Sequence, residues 1–283
     1  MKKNPYRTQN IAFFFLFLAT LLIVVPVGLI VVIIIQKGLP AINWQFLSDI
    51  PRHGMRAGGI FPAIIGTVYL VTGAIIFALP IGLLAAIYLS EYSKDNLLNR
   101  VIKLAIVNLA GVPSVVYGLF GLALFVIFFK FGASILSGSL TLGIMILPII
   151  ITTSREALES VPQSFREVSL SLGASKWQTI RHVVLPNAIP GILTGTILGL
   201  GRAAGETAPI LFTVAAFYLP QLPASIFDQA MALPYHLYVI STQVPNVDEK
   251  IRYGTAFVLL ALVLFMNLVA IIIRTKFRKK KKW

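Results

Sequence analysis

The stretch Arg166-Glu167-Val168-Ser169-Leu170-Ser171-Leu172-Gly173, followed ten residues after the glycine by Val183-Val184-Leu185-Pro186, sits in a polar insert between two long apolar runs. Ser160 and Gln163 have the spacing of a capping box, and Pro162 would fall in the first turn, where its missing N–H costs nothing. Phe165, Val168 and Leu172 recur at i, i+3 and i+7, which predicts a helix with one apolar face and with Arg166 and Glu167 on its other side. Gly173 stops that helix, because glycine takes the left-handed C′ conformation without penalty. Ser175 and Gln178 repeat the capping-box spacing and start a second helix carrying Trp177 and Ile180, which Pro186 is expected to end. Such a helix–glycine–helix element reads in two ways. It is a rigid knob that receives force from a partner, or a hairpin resting its apolar face on a membrane.

The flanking runs favour a membrane setting. The chain has 283 residues, 57% hydrophobic and only 12% charged, against about a quarter charged in soluble domains. Six apolar runs are long enough to cross ~30 Å of hydrocarbon: 11–35, 62–90, 101–129, 134–153, 188–217 and 255–273. These predict an all-α membrane protein of six transmembrane helices, with no room for a separate soluble domain.

Lys and Arg in the short loops set the expected orientation. With both termini cytoplasmic, the inner side holds seventeen of them: Lys2, Lys3, Arg7, Lys94, Arg100, Lys103, Arg155, Arg166, Lys176, Arg181, Arg274, Lys276, Arg278 and Lys279 to Lys282. The outer side holds six, Lys37, Arg52, Arg56, Lys130, Lys250 and Arg252. The formal charge of +14 is thus mostly a topology signal, and the basic tail faces anionic membrane lipid rather than nucleic acid. The first run has a basic lead-in but is too long for a signal peptide and lacks a small-x-small cleavage site, so it is expected to remain as a helix. Cysteine is absent, which excludes disulfides, thiol catalysis and cysteine metal sites.

Two outer segments are sizeable. Residues 36–61 carry Trp44 and Phe46 and read either as an interfacial piece or as a docking site. Residues 218–254 hold Pro220, Pro223, Pro234 and Pro245, and 226–233 are expected to form a short helix.

The fifth run reads Gly191-x3-Gly195-x3-Gly199, a flat stripe that another helix can approach closely, then Gly201-Arg202-Ala203-Ala204-Gly205-Glu206-Thr207-Ala208-Pro209. Arg202 falls near the middle of that run, where an arginine costs ~2.5–3.5 kcal/mol on insertion scales. Glu206, one turn on, can pair with it. The pair is either a bridge pinning the helix or part of a solute path. An arginine fork there suits a tetrahedral oxyanion, and the Glu206 carboxylate would accept a hydrogen bond from a protonated one. Phosphate near neutral pH keeps a P–O–H and sulfate does not, so the pair suits phosphate, with the Thr207 hydroxyl as a further donor. In the third run Pro113 breaks the helical bonding, and Asn108, Ser114 and Tyr117 are expected to face the interior.

Glu167, Gly173 and Leu185-Pro186 resemble the EAA signature of binding-protein-dependent ABC importer permeases, with Val168 and Ser169 in place of the paired alanines. The string from Gly201 to Pro209 is similar to that of phosphate importer permeases, and its Ala-Pro ending resembles the PstA type rather than the PstC type. Leu109-Ala110-Gly111-Val112-Pro113-Ser114-Val115-Val116-Tyr117-Gly118-Leu119-Phe120-Gly121 resembles the same family. The resemblance implies a type I ABC importer permease bundle, multi-pass in a bacterial or archaeal plasma (inner) membrane. It implies a PstC-like sibling permease, a PstB-like ATPase dimer carrying the ATP and magnesium, and a PstS-like extracytoplasmic phosphate-binding protein. Residues 1–56 would then be an anchor helix and outer loop. Residues 57–275 would be the permease core, with a coupling loop at 154–187, and 276–283 a basic cytoplasmic tail.

On that reading Arg166, Glu167, Gly173, Leu185 and Pro186 couple to the ATPase, and Arg202, Glu206 and Thr207 line the path. Gly191, Gly195, Gly199, Gly205 and Pro113 serve helix packing. No catalytic or metal residue is expected, since the spans offer no metal cluster or nucleophile–base set, and no cofactor of its own, since the chain has no G-x4-G-K-[ST] loop and cannot be the ATPase. The alternatives are a permease for another oxyanion, sulfate or molybdate, and an ion-coupled secondary transporter, which usually shows more intramembrane carboxylates and an internal repeat.

Overall fold

A computed structural model describes residues 5–94 and 96–279; Lys2, Lys3 and Lys280 to Lys282 of the charge tally lie outside them. In chain order the helices are α1 (Pro5–Gly38), α2 (Trp44–Ser48), α3 (Phe61–Ile87), α4 (Leu97–Ala110), α5 (Ser114–Gly121) and α6 (Ile135–Glu159). They continue with α7 (Gln163–Ser171), α8 (Lys176–Thr179), α9 (Leu185–Gly205), α10 (Ala208–Thr213), α11 (Leu233–Thr242) and α12 (Glu249–Lys279). A hairpin of two-residue strands, β1 (Pro51–Arg52) against β2 (Ala57–Gly58), is the sheet among the described residues.

Five stretches are long and apolar enough to cross a membrane: Gln9–Ala41, Phe61–Tyr92, Ile135–Glu159, Lys176–Gly205 and Glu249–Arg278. The sixth expected span is a bent pair. Helices 97–110 and 114–128 meet at 103°. The bend falls at Gly111 to Pro113, since Pro113 lacks an N–H and keeps the residue before it out of the helical region. Tyr117 donates its hydroxyl to the Leu109 carbonyl at 2.7 Å, satisfying an acceptor near the end of α4.

The central helix is α6, with 67% of its most apolar window buried within the chain against none for α1. It packs on α3 and α9, α12 lies beside α9, and α1 touches the body mainly through α12. Small residues allow the close approaches. A Cβ on Gly82 would stand 2.7 Å from Ile150, and Gly73 faces Ser139. Gly191 and Gly195 lie against Ala157 and Thr153 of α6, while Gly199 has ordinary clearance from Ile146. Gly205 has open space around it.

Two expectations in this frame need correction. Residues 226–233 do not form a helix. The Asp228 carboxylate accepts from the N–H groups of Ala224 at 2.9 Å and Ser225 at 2.8 Å, a side-chain turn that competes with helical bonding. The helix instead begins at Leu233, whose N–H donates to Thr67 Oγ1 at 2.8 Å, with Pro234 in its first turn. Asn108 does not face the interior: it is exposed on the chain's surface, whereas Tyr117 is buried and Ser114 half-buried.

Candidate functional site

The polar insert folds as α7, a turn at Gly173, and α8. Gly173 has φ +84°, and the N–H of Gly173 bonds the Leu170 carbonyl while that of Ala174 bonds Ser169. Ser175 and Gln178 form a reciprocal capping box at the start of α8. The box expected at Ser160 and Gln163 is absent. Ser160 is instead the C-cap of α6 and donates its hydroxyl to the Ala157 carbonyl at 2.8 Å; the N-cap of α7 is Pro162, which has no side-chain oxygen.

Pro186 does not end the second helix either. A single apolar stretch runs Lys176–Gly205, and the backbone widens to a π turn over Ile180–Val184 just before the proline. That turn makes room where the ring of Pro186 would otherwise crowd the carbonyl of His182.

The faces around α7 depart from the sequence pattern at Arg166, Val168 and Leu172. Val168 is 61% and Leu172 83% exposed, and Glu167 is exposed with them. Phe165 packs on an apolar cluster with Ala86, Leu158, Val161 and Val184. Arg166 points inward. Its Nε and Nη2 donate to Glu91 at 3.2 and 2.7 Å, while Nη1 and Nη2 donate to the carbonyls of Val161 at 2.7 Å and Leu158 at 2.9 Å. The side chains of the pair are 12% and 8% exposed. Leu185 is half-buried against the same cluster, and Pro186 occupies the first turn of α9.

The second region gathers the two broken helices. Helix α9 ends at Gly205; Glu206 follows in extended conformation (φ −76°, ψ 136°) and α10 begins at Ala208. Pro209 removes the donor that would have bonded the Gly205 carbonyl, so the helix breaks there. Arg202 therefore lies in the last turn of α9, beside the break, rather than in mid-helix.

Arg202 Nε approaches Glu206 Oε1 at 3.6 Å, with side chains 32% and 18% exposed. This is an ion pair longer than a hydrogen bond, and among the described residues it leaves the arginine donors available. Ala203 and Ala204 are buried, so the arginine is the polar interruption of a packed face. Helix α5 comes against α10: a Cβ on Gly118 would stand 2.7 Å from Phe212 and 3.1 Å from Pro209. The two glycine- and proline-containing motifs, far apart in sequence, thus adjoin. Tyr117 falls within the electrostatic reach of Arg202.

Thr207 is the N-cap position of α10, and its side chain makes no capping bond. Asn267 of α12 stands over Gly201, with its Oδ1 buried and without a hydrogen-bond partner among the described residues. Non-helical backbone at membrane depth survives only where protein buries it or where it lines a cavity. A helix break with an arginine beside it, packed against the second broken helix, has the form of a solute site on discontinuous helices.

Sequence reasoning missed Glu91 and Asn267. Glu91 had a faint signal, a single carboxylate closing a long apolar run at Leu89-Ser90-Glu91. No group of metal-binding side chains occurs among the described residues.

These features define the membrane component of a solute transporter. A family model described as "Binding-protein-dependent transport system inner membrane component" matches residues 78–283, and the chain belongs to that family. It is 34% identical over 276 residues to "Probable ABC transporter permease protein YqgI" of Bacillus subtilis, covering 93% of each chain. It is 33% identical over 274 residues to "Phosphate transport system permease protein PstA 1" of Mycobacterium tuberculosis, covering 94% of this chain and 88% of the relative. Its fold is similar to that of a chain in inward-facing structures of the MetNI methionine ABC transporter, with TM-score 0.61 at 16% identity over 77% of this chain and 97% of the other. A bacterial ABC transporter involved in alginate import gives TM-score 0.58 at 15% identity, over 93% and 94%.

Proposed function

We propose that the chain is the permease subunit of an ATP-driven phosphate importer and forms half of the translocation path. The observation that carries this is the Arg202–Glu206 pair, held beside a helix break with its arginine donors unspent. A dianionic or monoanionic phosphate meets a fixed planar fork there, and its P–O–H donates to Glu206, so the neighbouring carboxylate selects for a protonated oxyanion. The relatives named as phosphate transport permeases support the same substrate. Thr207 adds a hydroxyl at the break.

Both termini face the cytoplasm in this proposal, because the basic residues cluster on that side. The exposed face of α7, with Glu167, Val168 and Leu172, docks on a separate ATPase dimer that binds the ATP and magnesium. Gly173 fixes the turn that presents this face, and Leu185 and Pro186 tie it to α9. Anchor 1–56, core 57–275 with its loop 154–187, and tail 276–283 keep the roles expected of them. A sibling permease supplies the other half of the path, and an extracytoplasmic binding protein delivers solute to the outer segments. The chain performs no covalent chemistry and sits in the plasma membrane.

The test is ATP-driven uptake of labelled phosphate into vesicles holding the whole complex, competed with excess sulfate. Uptake that needs ATP and ignores sulfate is the expected result. Uptake blocked by sulfate would move the substrate to a broader oxyanion class that includes molybdate. Uptake without ATP would replace the reading with an ion-coupled carrier.

A further inference from the structure

The π turn that closes α3, Tyr88–Tyr92, grips both helices of the insert from adjacent residues. Glu91 holds Arg166 of α7 in the buried, doubly contacted pair described above, and the ammonium of Lys176 at the start of α8 lies 4.8 Å over the Tyr92 ring. These two contacts fall on opposite sides of the Gly173 turn. Helix α7 has no buried residue of its own, and a cleft of about 610 Å³ separates part of the insert from the ends of α3 and α6, with Ser90, Glu159 and Leu170 among its walls. Apolar packing beneath α7 is thus thin: Phe165 and the Arg166 guanidinium tie it to the body, and a Ser169–Thr179 hydroxyl contact at 2.9 Å ties it to α8. The guanidinium joins three elements: α7 by its own backbone, α3 through Glu91, and the end of α6 through the Leu158 carbonyl.

We infer that Glu91 is a positioning residue for transport: with Arg166 it forms the strut through which movement of the insert is carried into α3 and α6. The inference rests on the insert's role as the ATPase-docking element. Glu91 touches neither solute nor nucleotide in this scheme. It makes α7, the π turn and the end of α6 move together, so a displacement of α7 is not absorbed in the cleft behind it. Arg166 is then an internal link rather than a surface contact for the ATPase.

Glu91→Gln is the informative change, since the amide oxygen still accepts from Arg166 but the charge is gone. In the whole complex in vesicles, import should fall roughly tenfold, the scale of ordinary coupling free energies. The complex should assemble in normal amounts, and ATP hydrolysis in the absence of binding protein should be unchanged. More ATP is then spent per solute moved, and Glu91→Asp should recover part of the loss. Normal import by Glu91→Gln at the normal ATP cost would overturn the strut, as would a loss explained entirely by less assembled complex.

A second readout needs no solute. The chain has no cysteine, so spin labels at Ser164→Cys and Tyr88→Cys report the α7–α3 distance in the assembled complex. That distance should be the same with and without trapped ATP when Glu91 is present, and broad in Glu91→Gln. A shift approaching one helical turn, about 5 Å, with Glu91 present would overturn the inference. If the labels stay together while the parent complex imports no phosphate, the substrate reading fails and the strut stands.

Discussion

Two of the chain's arginine–glutamate pairs are built in contrasting ways. Arg166 and Glu91 are 75 residues apart in sequence and meet at 2.7 Å, with four of the five arginine N–H groups engaged by carboxylate or carbonyl oxygen. Arg202 and Glu206 are four residues apart and meet at 3.6 Å on a helix end that has already unwound. A guanidinium with a single N–H left unengaged has little to offer a ligand and so acts as structure. An unsaturated one, beside a break and an orphaned Asn267 carbonyl oxygen, keeps its hydrogen-bonding capacity for something that comes and goes.

The largest expected effect separates the pairs by stability. Arg166→Ala leaves Glu91 buried and unpaired and frees two carbonyls, a loss of about 3–5 kcal/mol. Arg202→Ala removes a longer, half-exposed contact worth at most ~1 kcal/mol. Thermal unfolding of the purified complex should therefore shift strongly for the first variant and little for the second. Equal shifts would mean that the two pairs are equally structural.

How far this division can be read from the sequence depends on distance along the chain. The turn at Gly173 and the cap of Ser175 on Gln178 are legible because every participant lies within a few residues. The inward direction of Arg166 is not, since its partner sits at the end of another helix. Phe165, Val168 and Leu172 illustrate a second limit. Periodicity finds an apolar stripe but cannot tell a core face from a docking face, and here Val168 and Leu172 are on the outside. The candidate solute site is intermediate. Arg202, Glu206 and Pro113 are conspicuous because charge and proline are out of place in apolar runs, and Pro209 is a local signal for the break after Gly205, yet nothing local shows that α5 packs on α10.

His236 provides a buried ionisable group with no charged partner among the described residues to set beside the two pairs. It lies in α11, at the end of α3 remote from the insert, buried with Nδ1 unbonded among the described residues. Burial pushes its pKa down from 6.5 to about 4. The unfolded chain takes up a proton as pH falls through 6.5, and the folded chain resists until about 4. Stability is therefore fully present above pH 6.5 and declines through that window by on the order of 3 kcal/mol. Unfolding midpoints measured from pH 7 to 4 should fall more steeply in the parent than in His236→Gln; parallel curves would show that His236 does not titrate against folding.

For Arg202 the expected signature lies in transport rather than in folding. If its free donors meet the solute, losing one charge-assisted bond of about 1.5–3 kcal/mol should lower import at least tenfold. The complex should still form and hydrolyse ATP. Arg202→Lys keeps the charge but loses the planar fork, so it should recover only part of the rate. Full recovery by lysine would mean that the residue sets the field of the path without gripping the ligand. Failure of Arg202→Ala to assemble would turn this pair into a second structural bridge and remove the contrast with Arg166.

The smallest effect expected is at Gly173, and it is informative because space and backbone disagree there. A Cβ at this position meets nothing within 4 Å, yet φ is +84°. Gly173→Ala therefore costs only the left-handed strain, about 1–2 kcal/mol, with no clash added. Because the strain sits in the turn between α7 and α8, relaxing it would tilt the exposed face of Glu167, Val168 and Leu172 while leaving Arg166 anchored on Glu91. Import should fall more than complex stability does. Gly173→Asn, better tolerated in the left-handed region, should lie between alanine and the parent. If alanine and asparagine behave alike, the backbone conformation of the turn is not what the coupling depends on, and the anchored side of the insert carries the transmission alone.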